Sequence, residues 1–111
     1  MNEEKKEEFT GLRKVLEKYS YLDDVINQLA GLQHLIDQCM VKVEAFLRRD
    51  SPLKSKREVI EKVRKYRDEI VELSNYIKKN AKTMNPTDKR VRVQDLINKV
   101  RELLRELDRY V

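Results

Sequence analysis

Lysine and arginine residues concentrated in the middle of the chain have the clearest potential for binding chemistry. Residues 48–92 hold fifteen Lys and Arg against seven Asp and Glu, so this segment carries a net charge of +8 in a chain whose total is +5. Arg57, Arg64 and Lys78 are spaced at multiples of seven residues, which places them along one flank of a helix. Cations arranged in this way can neutralise phosphate groups and gain affinity when counterions are released.

The basic segment predicts a contact surface for nucleic acid or for an acidic partner. The alternative interpretation is a solvated helix face, neutralised by the i, i+4 pairs Glu58–Lys62 and Glu61–Lys65. The sequence has no zinc-finger spacing and no glycine-bearing helix-turn-helix turn, so we expect phosphate contacts that are independent of base sequence. The candidate contact residues are Arg48, Arg49, Lys54, Lys56, Arg57, Arg64, Lys65, Lys78 and Lys79.

Residues suited to catalysis are scarce. His34 is the only histidine and Cys39 the only cysteine, and on one helix their side chains point in different directions. Cys39 lies on the apolar side of that helix, where we expect it to act as an inert small hydrophobe. The Glu-x-x-His motif of carboxylate metal sites and a glycine-rich phosphate loop are both missing from the sequence. The sequence therefore predicts a protein that is not an enzyme and uses no metal, cofactor or small-molecule substrate.

Helical periodicity predicts the elements that position the basic residues. Apolar side chains recur every three or four positions over residues 22–47, 59–84 and 93–111, with almost no glycine or proline between them. We predict one all-α domain, residues 1–111, folded as an antiparallel helical bundle of three or four helices with coiled-coil-like packing. The predicted helices span residues 3–19, 21–49, 56–84 and 93–110, with one continuous helix as the alternative for the first two.

Several polar residues mark the predicted boundaries of these helices. Ser55 and Glu58 resemble a capping box at the start of the third helix, and the sequence from Asn85 to Asp88 resembles a stop followed by a turn. Asn80 interrupts an apolar stripe, and a buried Asn at such a position can fix the register or oligomeric state of a coiled coil. The alternative is that the third helix frays before Pro86 and leaves Asn80 in solvent.

Apolar helical stripes occur in proteins with many different functions, so the sequence limits the function only broadly. We predict a non-enzymatic interaction protein, such as an adaptor, scaffold or small subunit, that self-associates or docks on a protein partner through apolar helix faces. A nucleic-acid-binding accessory protein using residues 48–92 is the alternative. The single cysteine rules out an intramolecular disulfide, and no apolar run approaches the roughly 18 residues that a membrane span needs. We therefore expect no membrane insertion and a reducing, cytoplasmic setting.

Overall fold

The computed structural model describes residues 9–110, and every regular element within that range is helical. A short 3₁₀ helix joins the second α-helix to the third. The predicted all-α fold is therefore confirmed for this part of the chain. The four α-helices are α1 (Thr10–Ser20), α2 (Val25–Leu47), α3 (Arg57–Lys79) and α4 (Pro86–Asp108), and the 3₁₀ helix is Pro52–Ser55.

The apolar stripes of the four helices pack into one core. Helix α2 contacts the other three, while α1 and α3 each also contact α4. Complete burial of a Leu or Ile side chain stabilises a fold by about 1.5–3 kcal/mol, so the core is the main source of stability. Its fully buried members include Leu29, Leu32, Leu35 and Ile36 from α2, Val63 and Ile70 from α3, and Val93, Ile97, Val100 and Leu104 from α4.

Ion pairs connect neighbouring helices around this core. Between α3 and α4, Lys62 Nζ lies 3.3 Å from Glu106 Oε2, and Lys99 Nζ lies 3.6 Å from Glu69 Oε2. The described residues extend over 51 × 23 × 16 Å. An α-helix of 23 residues is about 34 Å long, so α2, α3 and α4 each extend along most of this elongated shape.

Residues 21–24 separate α1 from α2, which decides between one continuous helix and two. The Asp24 side chain accepts a hydrogen bond from the backbone N–H of Ile26 at 3.0 Å and so caps the start of α2. The buried Gln28 side chain donates to the carbonyl oxygens of Tyr19 and Ser20 at 3.3 and 3.2 Å. These two carbonyls end α1, and Gln28 supplies partners that a continuing helix would otherwise provide.

Two predicted boundaries are wrong, and side-chain caps explain both. The third helix ends at Lys79 instead of residue 84, and the fourth begins at Pro86 instead of residue 93. Asn85, predicted as part of a stop, accepts a hydrogen bond from Thr87 N at 2.8 Å and caps α4, with Pro86 in the first helical position. Residues 86–92, which precede the predicted fourth helix, therefore lie inside α4.

The remaining boundaries differ by smaller amounts. Helix α2 spans residues 25–47 where 21–49 was predicted, and α4 ends at Asp108. The predicted capping box at the start of α3 is not formed, because Ser55 lies in the 3₁₀ helix and donates to Pro52 O at 3.0 Å. Lys56 precedes α3 without a side-chain cap. The predicted start of the first helix, at residue 3, lies outside the described residues.

The two glycines should respond to alanine in opposite directions. A Cβ at Gly31 would lie 2.7 Å from Tyr19 Cγ, whereas a Cβ at Gly11 meets no described atom within 4 Å. We expect Gly11→Ala to stabilise α1 by up to about 1 kcal/mol. Gly31→Ala should lower the free energy of unfolding, because overpacking costs about 1–3 kcal/mol and exceeds the gain in helix propensity.

Urea denaturation followed by circular dichroism measures both changes. Tyr19→Leu removes the ring that the new methyl group would meet, so adding Gly31→Ala to that variant should be neutral or stabilising. An equal gain in stability from both glycine replacements in the natural sequence would contradict the close contact between α1 and α2.

Candidate functional site

The predicted basic residues fall into two groups at opposite ends of α3, with one pair between them. We call Arg48, Arg49, Lys54, Lys56 and Arg57 the α2–α3 cluster. Lys78 and Lys79 lie at the other end, and we group them with Lys82 in the following connection and Arg90 near the start of α4 as the α3–α4 cluster. Arg64 and Lys65 lie on α3 between the two clusters, and all of these side chains are exposed.

Buried and capping residues fix the backbone of the α2–α3 cluster. Ser51 Oγ accepts a hydrogen bond from Leu53 N at 3.2 Å and begins the 3₁₀ helix. Leu53 is fully buried and contributes to the core. Two cations of the cluster lie over aromatic rings: Arg49 Cζ is 5.2 Å from the centre of the Phe46 ring, and Lys56 Nζ is 5.5 Å from the centre of the Tyr110 ring. Rings at this distance attract cations without neutralising them.

The α3–α4 cluster surrounds a short connection closed by local hydrogen bonds. Lys89 Nζ donates to Ala81 O at 3.1 Å, and Thr83 Oγ1 donates to Asn80 O at 3.2 Å. A shallow depression of about 390 Å³ lies there, lined by Lys78, Lys79, Asn80, Ala81, Lys82 and Thr83. Lys82 and Arg90 were missed by the heptad spacing because they lie beyond the end of α3. Lys82 and Arg90 could have been found from the high net charge of residues 48–92, since both lie within that segment.

None of the nine predicted cations forms an ion pair with any residue in the described range. Ion pairs in the same range involve seven other cations, which are Arg13, Lys62, Arg67, Arg92, Lys99, Arg101 and Arg105. The pairs Glu58–Lys62 and Glu61–Lys65, expected for a neutralised face, are not formed, and Lys62 contacts Glu106 instead. Lys99 differs from the nine predicted cations because it has acidic partners, and its hydrogen bond to Asp95 raises the pKa of its side chain.

Carboxylates interrupt the basic flank of α3 near its centre. A surface crevice of about 490 Å³ is lined by Arg64 and Lys65 together with four acidic residues: Glu61, Asp68, Glu69 and Glu72. The acidic residues outnumber the cations there, so the centre of the exposed face is not positive. The predicted stripe is therefore divided into two cationic ends.

Asn80 lies at the C-terminal cap of α3 and is half-buried. Its side-chain Nδ2 and its backbone N–H both donate to Tyr76 O at 2.9 Å. Its carbonyl oxygen accepts from the backbone N–H groups of Thr83 and Met84 at 3.0 Å. These bonds explain why α3 ends here. A role for Asn80 in register or oligomeric state stays a prediction.

His34 and Cys39 do not come together as a catalytic pair. His34 is exposed, with Nε2 3.1 Å from Gln38 Nε2, while Cys39 is fully buried. Burial raises the pKa of the Cys39 thiol to about 12, so at neutral pH the sulfur is protonated and a poor nucleophile. Residues 9–110 contain no group of three or more His, Cys, Asp or Glu side chains arranged to hold a metal ion.

The apolar residues outside the main stripes are divided between the core and the surface. Leu35 and Leu53 are fully buried, whereas Tyr21 and Val41 are 81% and 67% exposed. Large hydrophobic side chains that remain exposed are Tyr21, Leu22, Val41, Tyr76 and Val91. They lie on four different elements of the chain. Over the described residues, none of the helices is both long enough and apolar enough to cross a membrane.

Comparisons with protein families, curated proteins and solved structures find no match to this chain. Within residues 9–110, the cations of both clusters form no ion pair with an acidic side chain.

Proposed function

We propose that this chain is a non-enzymatic interaction protein that binds nucleic acid through sequence-independent contacts between its unpaired cations and phosphates. One observation carries the proposal: the nine predicted cations are exposed and lack ion pairs with described residues, although α3 itself carries five carboxylates. A cation already paired with a carboxylate must give up that pair before it can bind a phosphate. The unpaired cations need no such exchange.

The arrangement of charge also supports this function. Electrostatic interactions in water decay over about 8 Å at physiological ionic strength, so cations reinforce one another only when they are close together. Five lie around the α2–α3 connection and four around the α3–α4 connection. Each cluster therefore forms a local positive potential, and each phosphate that it neutralises releases counterions and strengthens binding.

Charge reversal in both clusters should abolish most of the binding. We expect Arg57→Glu/Lys78→Glu to weaken binding of a fluorescein-labelled 24-base-pair duplex at least tenfold at 100 mM salt. The slope of log K against log salt should become shallower by about 1.8, since each lost phosphate contact removes about 0.9. Fluorescence anisotropy gives both values, and circular dichroism verifies the fold.

The matched control is Lys14→Glu/Lys18→Glu, which makes the same change in net charge on exposed residues of α1. It should retain nearly all of the affinity of the natural sequence. Equal loss of binding in both variants would show that only total charge matters and would overturn the assignment to the clusters.

We also propose that the helices form an antiparallel bundle with coiled-coil-like packing. The two α3–α4 ion pairs support this, because Lys62 pairs with Glu106 while the later residue Glu69 pairs with the earlier residue Lys99. Between α1 and α2, the Phe9 and Phe46 ring centres are 5.9 Å apart, and Tyr19 lies against Gly31. Spin labels at residues 62 and 106 should be closer than labels at residues 62 and 92, whereas parallel helices would reverse that order.

A second candidate function is self-association or docking on a protein partner through apolar helix faces. The exposed Tyr21 and Leu22, at 81% and 41%, favour it because they are adjacent in the α1–α2 connection. It ranks second because the core already buries most stripe residues, and single exposed hydrophobic residues are common on protein surfaces.

Light scattering tests this second function. If the chain self-associates through the α1–α2 connection, Tyr21→Ser/Leu22→Ser should lower the mass to that of one chain, while Val41→Ser should leave it unchanged. A mass of 13.4 kDa for the natural sequence at all concentrations would rule out self-association.

A further inference from the structure

Resting on the proposed function, we infer that the ligand is double-stranded DNA longer than one helical turn, held at two points by the two clusters. The observation behind this inference is the distance between the clusters. Arg57 and Lys79 are the first and last residues of α3, and 22 steps along an α-helix span about 33 Å. One turn of B-form DNA is about 34–36 Å long.

This match means that both clusters can meet the same DNA strand. If α3 lies parallel to the duplex axis, one strand crosses the line of the helix once per turn. The first crossing would meet the α2–α3 cluster and the next would meet the α3–α4 cluster. The molecule is 51 Å long, so the described part of the chain extends beyond both crossings.

The residues between the clusters fit the second strand of the duplex. Arg64 lies about 11 Å from Arg57 along α3 and about 21 Å from Lys78. The second DNA strand crosses the line of α3 between the two crossings of the first strand. This crossing is not midway, because the minor groove is narrower than the major groove. Arg64 and Lys65 would meet the second strand across the minor groove.

Three of the four carboxylates that line the crevice occupy the longer of the two intervals, while Glu61 lies between Arg57 and Arg64 in the shorter one. Asp68, Glu69 and Glu72 follow Lys65 and line the same crevice on α3. In this arrangement they face the wide major groove, where phosphates are most distant. A single strand lying along α3 would instead bring a phosphate past every part of the helix, including these acidic residues. The alternation of cations and carboxylates therefore favours a duplex over a single strand.

Binding to duplexes of increasing length tests the inference. We expect weak binding to an 8-base-pair duplex, which reaches one cluster, and at least tenfold tighter binding to a 14-base-pair duplex, which reaches both. Affinities are measured by fluorescence anisotropy at 100 mM salt. They are corrected for the larger number of overlapping positions at which the protein can bind a longer duplex. The salt slope should also steepen between these lengths, because more phosphates are neutralised. A 14-nucleotide single strand should bind more weakly than the 14-base-pair duplex.

Variants in one cluster provide the control. We call the increase in affinity between 8 and 14 base pairs the step in affinity. Lys56→Glu/Arg57→Glu should remove this step, so that the two duplexes have equal affinities after the correction. Lys14→Glu/Lys18→Glu should keep the step. Circular dichroism verifies that each variant is folded.

The possible results separate this inference from the function on which it rests. Failure to bind any nucleic acid would contradict the proposed function and the inference together. Duplex binding without a step in affinity, or single-strand binding as tight as duplex binding, would overturn the inference and leave nucleic-acid binding in place. A step that persists in Lys56→Glu/Arg57→Glu would also overturn it.

Discussion

Packing of α2 against its three neighbours is the constraint on which the rest of the structure depends. Its buried face includes Leu29, Leu32, Ile36 and Val43, and these side chains are in contact with residues of the other helices in one core. Because this packing orients α3, it determines which residues of α3 face solvent. Arg57, Arg64 and Lys78 are exposed because the opposite side of α3 is buried through Val59, Val63, Ile70 and Ile77.

The same constraint explains how the fold can be stable although many cations have no acidic partner among residues 9–110. Apolar burial supplies most of the stability of a small domain, whereas an exposed ion pair contributes about 0–1 kcal/mol. The fold therefore has little need of Arg57, Lys78 or their neighbours for its own stability. These exposed cations are therefore available for contacts with another molecule.

Much of the fold could be predicted from the sequence because helical periodicity is a local signal. Leu29, Ile36, Val63 and Val100 lie within the segments whose apolar periodicity predicted the helices, and all four are buried. Helix ends were predicted less well because a few side-chain hydrogen bonds decide them. Asn85 resembled part of a stop in the sequence, yet its side-chain oxygen caps the start of α4.

The candidate site was only partly predictable for a related reason. Heptad spacing found Arg57, Arg64 and Lys78, but it could not show whether each cation has an acidic partner. That depends on which residues lie across from it in the folded chain, as Lys62 illustrates by contacting Glu106, 44 positions away. The division of the stripe into two ends likewise became visible only when the carboxylates of α3 were located in one crevice with Arg64 and Lys65.

The contacts of α1 have a consequence for the order of folding. Asp108 accepts hydrogen bonds from Phe9 N, at 2.8 Å, and from Arg13, while Arg101 Nε donates to Glu17 Oε1 at 2.6 Å. These partners are separated by 84 to 99 positions in the sequence. Contacts between such distant residues are slow to form, because a long chain segment must be closed first. Helix α1 can pack on its sequence neighbour α2 without α4, so we expect the contacts between α1 and α4 to be among the last to form during folding.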